Sequence, residues 1–443
     1  MTYQQALAWL EGLLNYERVP LPYAQIKLNR IRALLHRLGN PHTSLRTVLV
    51  AGTKGKGSTA AMMAAILRES GERVGLYSKP HLVDFRERIR VGDVLIPEET
   101  LAGLVEEVRP AVEAGDADPW GRATYFEVSV ALALLHFLRE RVDRAILEVG
   151  IGGRLDATNV CDPDLSVITP ISYDHMDVLG STLREIASEK AGIIRPGGTV
   201  VTAPQLPEPW EVLQERCQEL GACLLEVGRD VHYEIRRVGL DGVDFTVQTP
   251  LGRYEDLHVP LLGRHQAVNA AVAVAAVEEL LRGEGRRVEL EAVRAGLSRL
   301  SWPARQELLN LRPAILVDVA HNPASMAALR DTLRELFGGR RVMLVLGMIA
   351  THDPDPVAQL IVPLAEEVIA TTPRDPRALS ADALAEVARR YTSRVRSLSD
   401  PQEALASALR RLGEDDVLVV TGSFYLAGPL REALLSRLRS PVP

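Results

Sequence analysis

Three glycines, two lysines and three hydroxyls, two of them the pair Ser58-Thr59, crowd into Gly52-Thr53-Lys54-Gly55-Lys56-Gly57-Ser58-Thr59, directly after the apolar run 47–51. Glycines let backbone N–H groups converge on phosphate oxygens, and the N-terminus of a following helix adds positive partial charge. Lys56 has the reach for β- and γ-phosphates, and the Ser58 hydroxyl is a hard donor suited to Mg²⁺. The spacing departs from G-x-x-x-x-G-K-[ST]: Val50 stands where the first Gly is expected, and Gly57 separates Lys56 from Ser58. A flexible βα turn is the plain alternative to a phosphate cradle.

Three further side chains stand where chemistry is done in open α/β sheets, at carboxyl ends of strands or beside them. Glu148 ends the apolar run Ala145-Ile-Leu-Glu148-Val149, where a charge needs a partner, a metal or a path to solvent. The Gly150-Ile-Gly152-Gly153 that follows reads, by itself, as an ordinary Gly-rich turn. His175 follows the strand-like run 167–171 in the loop Ser172-Tyr-Asp-His175-Met. The stretch 181–192 predicts a helix, and Lys190 lies on the same face as Leu183, Ile186 and Ala187. Such a lysine either snorkels to water or is paired or modified at a site. Near the other end of the chain, Asp318-Val-Ala-His321-Asn322-Pro323 and Thr421-Gly-Ser423-Phe-Tyr425 each follow an apolar strand and open a helix. Each is a capping turn or part of a ligand site.

The elements that must hold these groups alternate. Runs at 47–51, 144–149, 165–171 and 199–202 predict strands, and 58–70 predicts a helix, so a parallel sheet covered by helices is expected. Alternating apolar residues over 232–262, around Asp241-Gly242, predict a small antiparallel patch, with a helix over 267–282. The βα rhythm restarts with strands at 314–319, 342–347, 367–371 and 417–421, after a break at Trp302-Pro303. The expected fold is α/β: a P-loop-type parallel-sheet ATPase domain with a small antiparallel β patch, then a second Rossmann-like α/β domain. The boundary is expected at 299/300.

The 443 residues are 47% hydrophobic and 25% charged, an ordinary globular balance, with a net charge of −7. That charge gives no support to a nucleic-acid or anionic-membrane partner. Cys161, Cys217 and Cys223 form no C-x-x-C pair and read as free thiols in a reducing compartment. The N-terminus does not resemble a signal peptide. The longest apolar stretch, 126–138, is broken by Glu127 and His136 and falls short of the roughly 18 residues of a membrane span. A cytoplasmic protein is expected.

The phosphate-loop segment resembles that of the folylpolyglutamate synthase and dihydrofolate synthase family of the Mur ligase superfamily. The likeness continues through Glu148-Val-Gly-Ile-Gly-Gly-Arg-Leu-Asp-Ala-Thr-Asn159, Asp174-His175, Glu189-Lys-Ala-Gly-Ile193 and Gly263-Arg-His-Gln-Ala-Val-Asn269. It goes on through Trp302-Pro-Ala-Arg305, Asp318-Val-Ala-His-Asn-Pro323 and Thr421-Gly-Ser-Phe-Tyr425, in order along nearly the whole chain. The resemblance implies an ATP-dependent ligase that joins L-glutamate to a folate, and to dihydropteroate as well, through an acyl phosphate. It implies an ATP- and folate-binding domain over 1–299 and a glutamate ligase domain over 300–443, in a monomer whose cleft closes on ATP. Gly55, Lys56, Gly57 and Ser58 match the triphosphate cradle, while Asn269, Arg305, Asp318 and His321 match ATP contacts. Glu148, His175 and Ser58 match Mg²⁺ ligands, with a monovalent cation such as K⁺ as a companion. Lys56, His175 and Lys190 match catalytic positions, Lys190 being the family's carbamylated lysine. Thr124, Tyr125, Phe126 and Glu127, with Leu155, Asp156 and Ala157, resemble the pterin-binding segments, and Phe126 offers a ring for stacking.

The chain also departs from that pattern. Ser78-Lys79-Pro80-His81 has Lys79 where the family usually has a serine that binds metal, and Thr351-His352-Asp353 replaces a common Asp-Lys-Asp. Lys79 either substitutes a fixed charge for a metal near the phosphates or marks an altered metal site. A cell-wall ligase of the same superfamily and a catalytically altered nucleotide-binding paralogue are the competing functions.

Overall fold

The computed structural model describes residues 1–15 and 27–439. Contacts divide the chain into two units, one of Met1–Glu234, Phe245–His258 and Ala267–Leu300, the other of Ile235–Asp244, Val259–Gln266 and Ser301–Pro443. The segments 235–244 and 259–266, which composition places with the first domain, are thus grouped with the second.

The first unit is built on a sheet of eight strands: β1 (Thr47–Ala51), β2 (Val74–Tyr77), β3 (Ile89–Val91), β4 (Val94–Leu95), β5 (Arg144–Glu148), β6 (Pro163–Ile168), β7 (Thr199–Thr202) and β8 (Cys223–Glu226). Their order is β4-β3-β2-β5-β1-β6-β7-β8. β1 pairs in parallel with β5 and β6. All residues of β1 and β5 are buried, because helices cover both faces of a parallel sheet. Only β3 runs against the others, pairing antiparallel with β2 on one side and with the edge strand β4 on the other. β3 and β4, with β2 and β8, are two to four residues long and lack a full alternation, which is why the sequence pattern does not mark them. The registers Val50↔Glu148 and Ala51↔Ile168 bring the carboxyl ends of β5, β1 and β6 into line. Neighbouring strands lie about 4.8 Å apart. The loops after Ala51, Glu148 and Ile168 therefore open side by side.

β9 (His232–Gly239), β10 (Gly242–Gln248) and β11 (Arg253–Val259) form a separate three-stranded sheet. The two-residue link at 240–241 permits only antiparallel pairing of β9 and β10. The helix after it, His265–Gly283, is two residues longer at its start than the sequence pattern indicates.

The second unit carries a six-stranded sheet of β12 (Glu307–Leu311), β13 (Ala314–Val317), β14 (Val342–Leu346), β15 (Glu367–Ala370), β16 (Val395–Ser397) and β17 (Val417–Thr421). The order is β12-β13-β17-β14-β15-β16, with only β12 antiparallel to its neighbour. The register Val317↔Val420 sets Asp318 beside Thr421 at the carboxyl ends of β13 and β17. The Asp318 N–H donates to the Val420 carbonyl at 3.0 Å. Among the described residues no helix is long and apolar enough to cross a membrane.

Candidate functional site

The helix after β1 starts at Lys56, not at the hydroxyl pair, and its N-cap is Gly55. Gly55 has φ +83°, a conformation that side-chain-bearing residues rarely adopt. A Cβ there would overlap the amide oxygen of Asn269, so the buried Asn269 abuts the loop. With the start moved back, Gly57 and Ser58 fall among the first-turn N–H groups that lack intrahelical partners, while the Thr59 N–H donates to the Gly55 carbonyl at 2.8 Å. The loop is zipped to the segment after β6. Thr53 N–H donates to the Pro170 carbonyl at 2.9 Å. Thr53 Oγ1 donates to the Ser172 carbonyl and accepts the Ser172 N–H, each at 3.0 Å. Lys54 Nζ pairs with Asp174 Oδ2 at 3.0 Å. These bonds hold the half-buried His175, whose φ of +50° caps the short helix Met176–Leu179.

Two lysines fill the inside of this loop. Lys56 Nζ donates to the carbonyls of Gly52 (3.2 Å) and Thr53 (3.4 Å). Lys190 Nζ donates to Gly52 at 2.8 Å and is 4% exposed, so it does not snorkel. Its helix, Leu183–Ala191, is fixed by a capping box of Thr182 and Glu185. The end of that helix is tied to the loop after β5: Arg154 N–H donates to the Glu189 carbonyl at 2.8 Å, and Asn159 Nδ2 to the Gly192 carbonyl at 3.1 Å. Burial takes the Lys56 ammonium down to about 8, with Glu148 opposing and Lys54 and Lys79 assisting the shift. Burial, aided by the charge of Lys56, takes Lys190 down to about 7.

Glu148, 6% exposed, accepts the backbone N–H of Lys79 at 3.2 Å. Across the loop from it, Asp156 Oδ2 accepts the N–H groups of Gly150 (2.9 Å) and Ile151 (3.1 Å). Its Oδ1 accepts from the Thr158 N–H (3.0 Å) and hydroxyl (2.7 Å). Burial nevertheless raises the Asp156 carboxyl above its ordinary range. Among residues 124–127, Thr124 and Glu127 form the capping box of the helix Tyr125–Arg139, and Glu127 also pairs with Arg30 at 3.3 Å. Tyr125 is buried edge-on against Phe85. Phe126 alone of the four is only half-buried, 6.3 Å from the Tyr77 ring. Leu155 is half-buried and Ala157 buried beside Asp156.

In the second unit, Asp318 is 6% exposed and accepts the N–H groups of Gln306 (2.9 Å) and Ala320 (2.8 Å). The Arg305 guanidinium lies 4.9 Å from the centre of the Phe424 ring. His321 Nδ1 bonds the Val319 carbonyl (2.8 Å), and its ring is 5.0 Å from that of His352 and 6.0 Å from Phe424. Motif matching does not single out Gln306. Its Oε1 is buried with no hydrogen-bond partner among the described residues, and its only signal in the sequence is its place beside Arg305.

Residues 50–277 match the Mur ligase middle domain, and residues 304–424 match the Mur ligase glutamate ligase domain. The fold and these two matches together define a Mur-type ligase. The chain is 34% identical to the dihydrofolate synthase/folylpolyglutamate synthase of Bacillus subtilis, over 98% of this chain and 99% of the relative. It superposes on Mycobacterium tuberculosis folylpolyglutamate synthase complexed with ADP with a TM-score of 0.89, at 33% identity and 98% coverage of both chains. Escherichia coli FolC in complex with DHPP and ADP gives 0.87, at 31% identity and 99% coverage of both. The chain belongs to the folylpolyglutamate synthase/dihydrofolate synthase family.

Proposed function

We propose that this chain uses ATP to couple L-glutamate to a folate, and to dihydropteroate as well. The observation that carries the reading is the convergence of Lys56 and Lys190 on the Gly52 carbonyl, at the N-terminus of the helix Lys56–Glu69. A buried cluster of cations costs free energy unless an anion answers it. A triphosphate at a helix N-terminus is such an anion.

The chemistry follows from that charge. A carboxylate is a poor acyl donor, so its oxygen attacks the γ-phosphorus and the bond to the β-bridging oxygen breaks, releasing ADP. The amine of L-glutamate then attacks the acyl carbon, phosphate leaves, the amine loses a proton, and an amide remains. Attack of one anion on another needs fixed positive charge around the transferred group. Lys56 and the first-turn N–H groups supply it. Asn269, Arg305, Asp318 and His321 are our proposed nucleotide contacts, and Phe126, Leu155, Asp156 and Ala157 our proposed contacts for the pteridine acid.

Among the described residues no three His, Cys, Asp or Glu side chains are grouped to hold a metal by themselves. The buried Ser58 hydroxyl and Glu148 carboxylate are oxygen donors. They fit Mg²⁺, which takes one or two protein oxygens and completes its shell with water and phosphate. Ser58 and Glu148 would hold it, with His175 beside them, and it would neutralise phosphate charge. Lys190, whose midpoint burial brings down to about 7, so that a large neutral fraction exists at pH 7, is the amine proposed to take up CO₂ as a carbamate. We propose further that the enzyme works as a monomer in the cytoplasm.

The test is phosphate release by the purified chain with ATP, dihydropteroate or tetrahydrofolate, and L-glutamate. Release should require all three. Turnover with muramyl precursors alone, or with none of these acids, overturns the reading.

A further inference from the structure

The paired registers of β6 and β7 end at Ile168↔Thr202, and one further bond, from the Ala203 N–H to the Ile168 carbonyl at 2.9 Å, closes the ladder. Just beyond, the two chains run into Pro170 and Pro204. Proline has no N–H with which to extend a ladder, so the backbone groups past these strand ends need other partners. Two of those groups belong to buried residues, the carbonyl of Thr169 and the N–H of Ile171. One side chain meets both. Gln205 Oε1 accepts the Ile171 N–H at 3.0 Å, and Gln205 Nε2 donates to the Thr169 carbonyl at 3.2 Å. Nε2 also donates to Thr202 Oγ1 at 2.9 Å, so both amide hydrogens are used. The carboxamide stands in for the peptide group that β7 would have offered had it continued.

The segment held in this way borders the phosphate loop. Thr169 N–H donates to the Ala51 carbonyl at 2.8 Å, and a Cβ on Gly52 would overlap Thr169 Oγ1. Gly52 is the residue whose carbonyl receives Lys56 and Lys190. The Pro170 carbonyl accepts the Thr53 N–H, and the backbone of Ser172 exchanges two hydrogen bonds with the Thr53 hydroxyl. Residues 169–172 thus form a rail, with the phosphate loop bonded along one edge and Gln205 along the other. Gln205 lies 34 positions from Ile171 and 36 from Thr169, and no local pattern in Ala203-Pro-Gln-Leu-Pro207 marks it.

We propose that Gln205 is a positioning residue for nucleotide binding, fixing the rail 169–172 and through it the phosphate loop, without touching the nucleotide. The proposal rests on the reading of that loop as the nucleotide site. Without the carboxamide, the Thr169 carbonyl and the Ile171 N–H are left buried and unpaired, and the rail must shift to reach water or another partner. A displacement of about 1 Å carried to a binding loop is enough to cost affinity and rate.

The test measures ADP affinity calorimetrically in the full-length wild type, Gln205→Leu and Gln205→Glu, with urea unfolding of each. Gln205→Leu deletes all three side-chain hydrogen bonds, whereas Gln205→Glu keeps the shape and the acceptor oxygen and deletes the two donors. ADP affinity should fall about fivefold or more in both. Steady-state assays should put that loss on the ATP KM and leave the acceptor KM within about twofold of the wild type. A residue that only supported the fold would lower unfolding stability without favouring one KM over the other. A second arm asks whether the loss passes through the rail. Thr53→Val deletes the hydroxyl that bonds Ser172 and should itself weaken ADP binding. In Gln205→Leu/Thr53→Val the combined loss should fall short of the product of the two single losses, because both break one connection.

Fully multiplicative losses overturn the proposal, as do equal rises in both KM values. So does an ADP affinity within about twofold of the wild type in both Gln205 variants. If Gln205→Leu does not fold, Gln205→Glu carries both arms. Failure of both variants to fold also overturns the proposal, since Gln205 would then support the whole domain and not the loop. If the wild type itself binds no ADP, the nucleotide reading of the loop is what fails.

Discussion

Lys56 and Lys190 donate to a single oxygen, the carbonyl of Gly52, at 3.2 and 2.8 Å. The two ammonium groups come from different helices, Lys56–Glu69 and Leu183–Ala191; Lys190 is buried and Lys56 half-buried. The carbonyls of Gly52 and Thr53 do not make up for the water these charges lose, so each lysine is held below its ordinary range. Under the proposed function, an anion bound at this loop should bring protons with it.

Nucleotide binding should therefore take up protons. At pH 8, Lys56 stands near its own midpoint of about 8, and Lys190 at about 7 is largely neutral. Polyphosphate favours the charged form of both, which raises both values and draws in roughly half to one proton per site at that pH. Calorimetric titration of ADP in buffers of differing ionisation enthalpy reads this number directly. Lys56→Met should reduce it along with the affinity. A binding enthalpy independent of buffer would refute the account.

The same shifts set a pH dependence for the ligand-free protein. Lys190 falls from 10.5 in the unfolded chain to about 7 in the fold. Between these values the unfolded state binds more protons, so stability rises with pH. Cys161 acts in the opposite sense, since burial lifts its thiol to about 12 and it costs stability once the unfolded thiol ionises near 9. The clean window is pH 7 to 8.5, where a gain of about 1–2 kcal/mol is expected in CO₂-free buffer. Urea unfolding across that window measures it. Lys190→Met should reduce the slope to the smaller part that Lys56 contributes, and raise stability at pH 7, where the buried charge is a burden.

How much of this was legible follows from what each residue is doing. Gly55, Lys56 and Ser58 lie within four residues of one another, and a turn between a buried strand and a helix leaves few places for them. Lys190 was visible as an anomaly, a cation on an apolar helical face, but its partner Gly52 lies 138 positions away. No local pattern encodes a pairing that the sheet order creates. Residues 124–127 carry a structural task that their motif does not announce. As a motif they resemble a substrate segment, yet Thr124 and Glu127 serve as a capping box, and only Phe126 is left half-exposed. The helix start at Lys56 was missed because a left-handed glycine N-cap carries no side-chain signal, whereas Ser58 and Thr59 do.

Asp318 should prove as structural as it is functional. It is buried and accepts two N–H groups, those of Gln306 and Ala320. Removing the carboxylate orphans both, at about 1–3 kcal/mol each. Asp318→Ala should thus lose about 2–6 kcal/mol in denaturant unfolding, and Asp318→Asn, which keeps one acceptor oxygen, about half as much. A loss below about 0.5 kcal/mol in Asp318→Ala would mean that water reaches these N–H groups and that burial has been overstated.

Two glycines separate backbone strain from crowding at the phosphate loop. Gly55 and Gly71 share a left-handed backbone, with φ of +83° and +91°. An alanine at either pays about 1 kcal/mol for that conformation. Nothing lies within 4 Å of a Cβ at Gly71, whereas a Cβ at Gly55 meets the amide of Asn269. Gly55→Ala and Gly71→Ala should therefore lose similar backbone stability, seen as a drop of a few degrees in Tm for each. Only Gly55→Ala should also weaken ADP binding, by about tenfold or more, because Asn269 and the loop must move apart. Asn269→Ala should restore room for the new methyl, so the double variant Gly55→Ala/Asn269→Ala should bind ADP no worse than Asn269→Ala alone. Equal losses of ADP affinity in Gly55→Ala and Gly71→Ala would show that the loop needs only its backbone shape, and that Asn269 is a bystander.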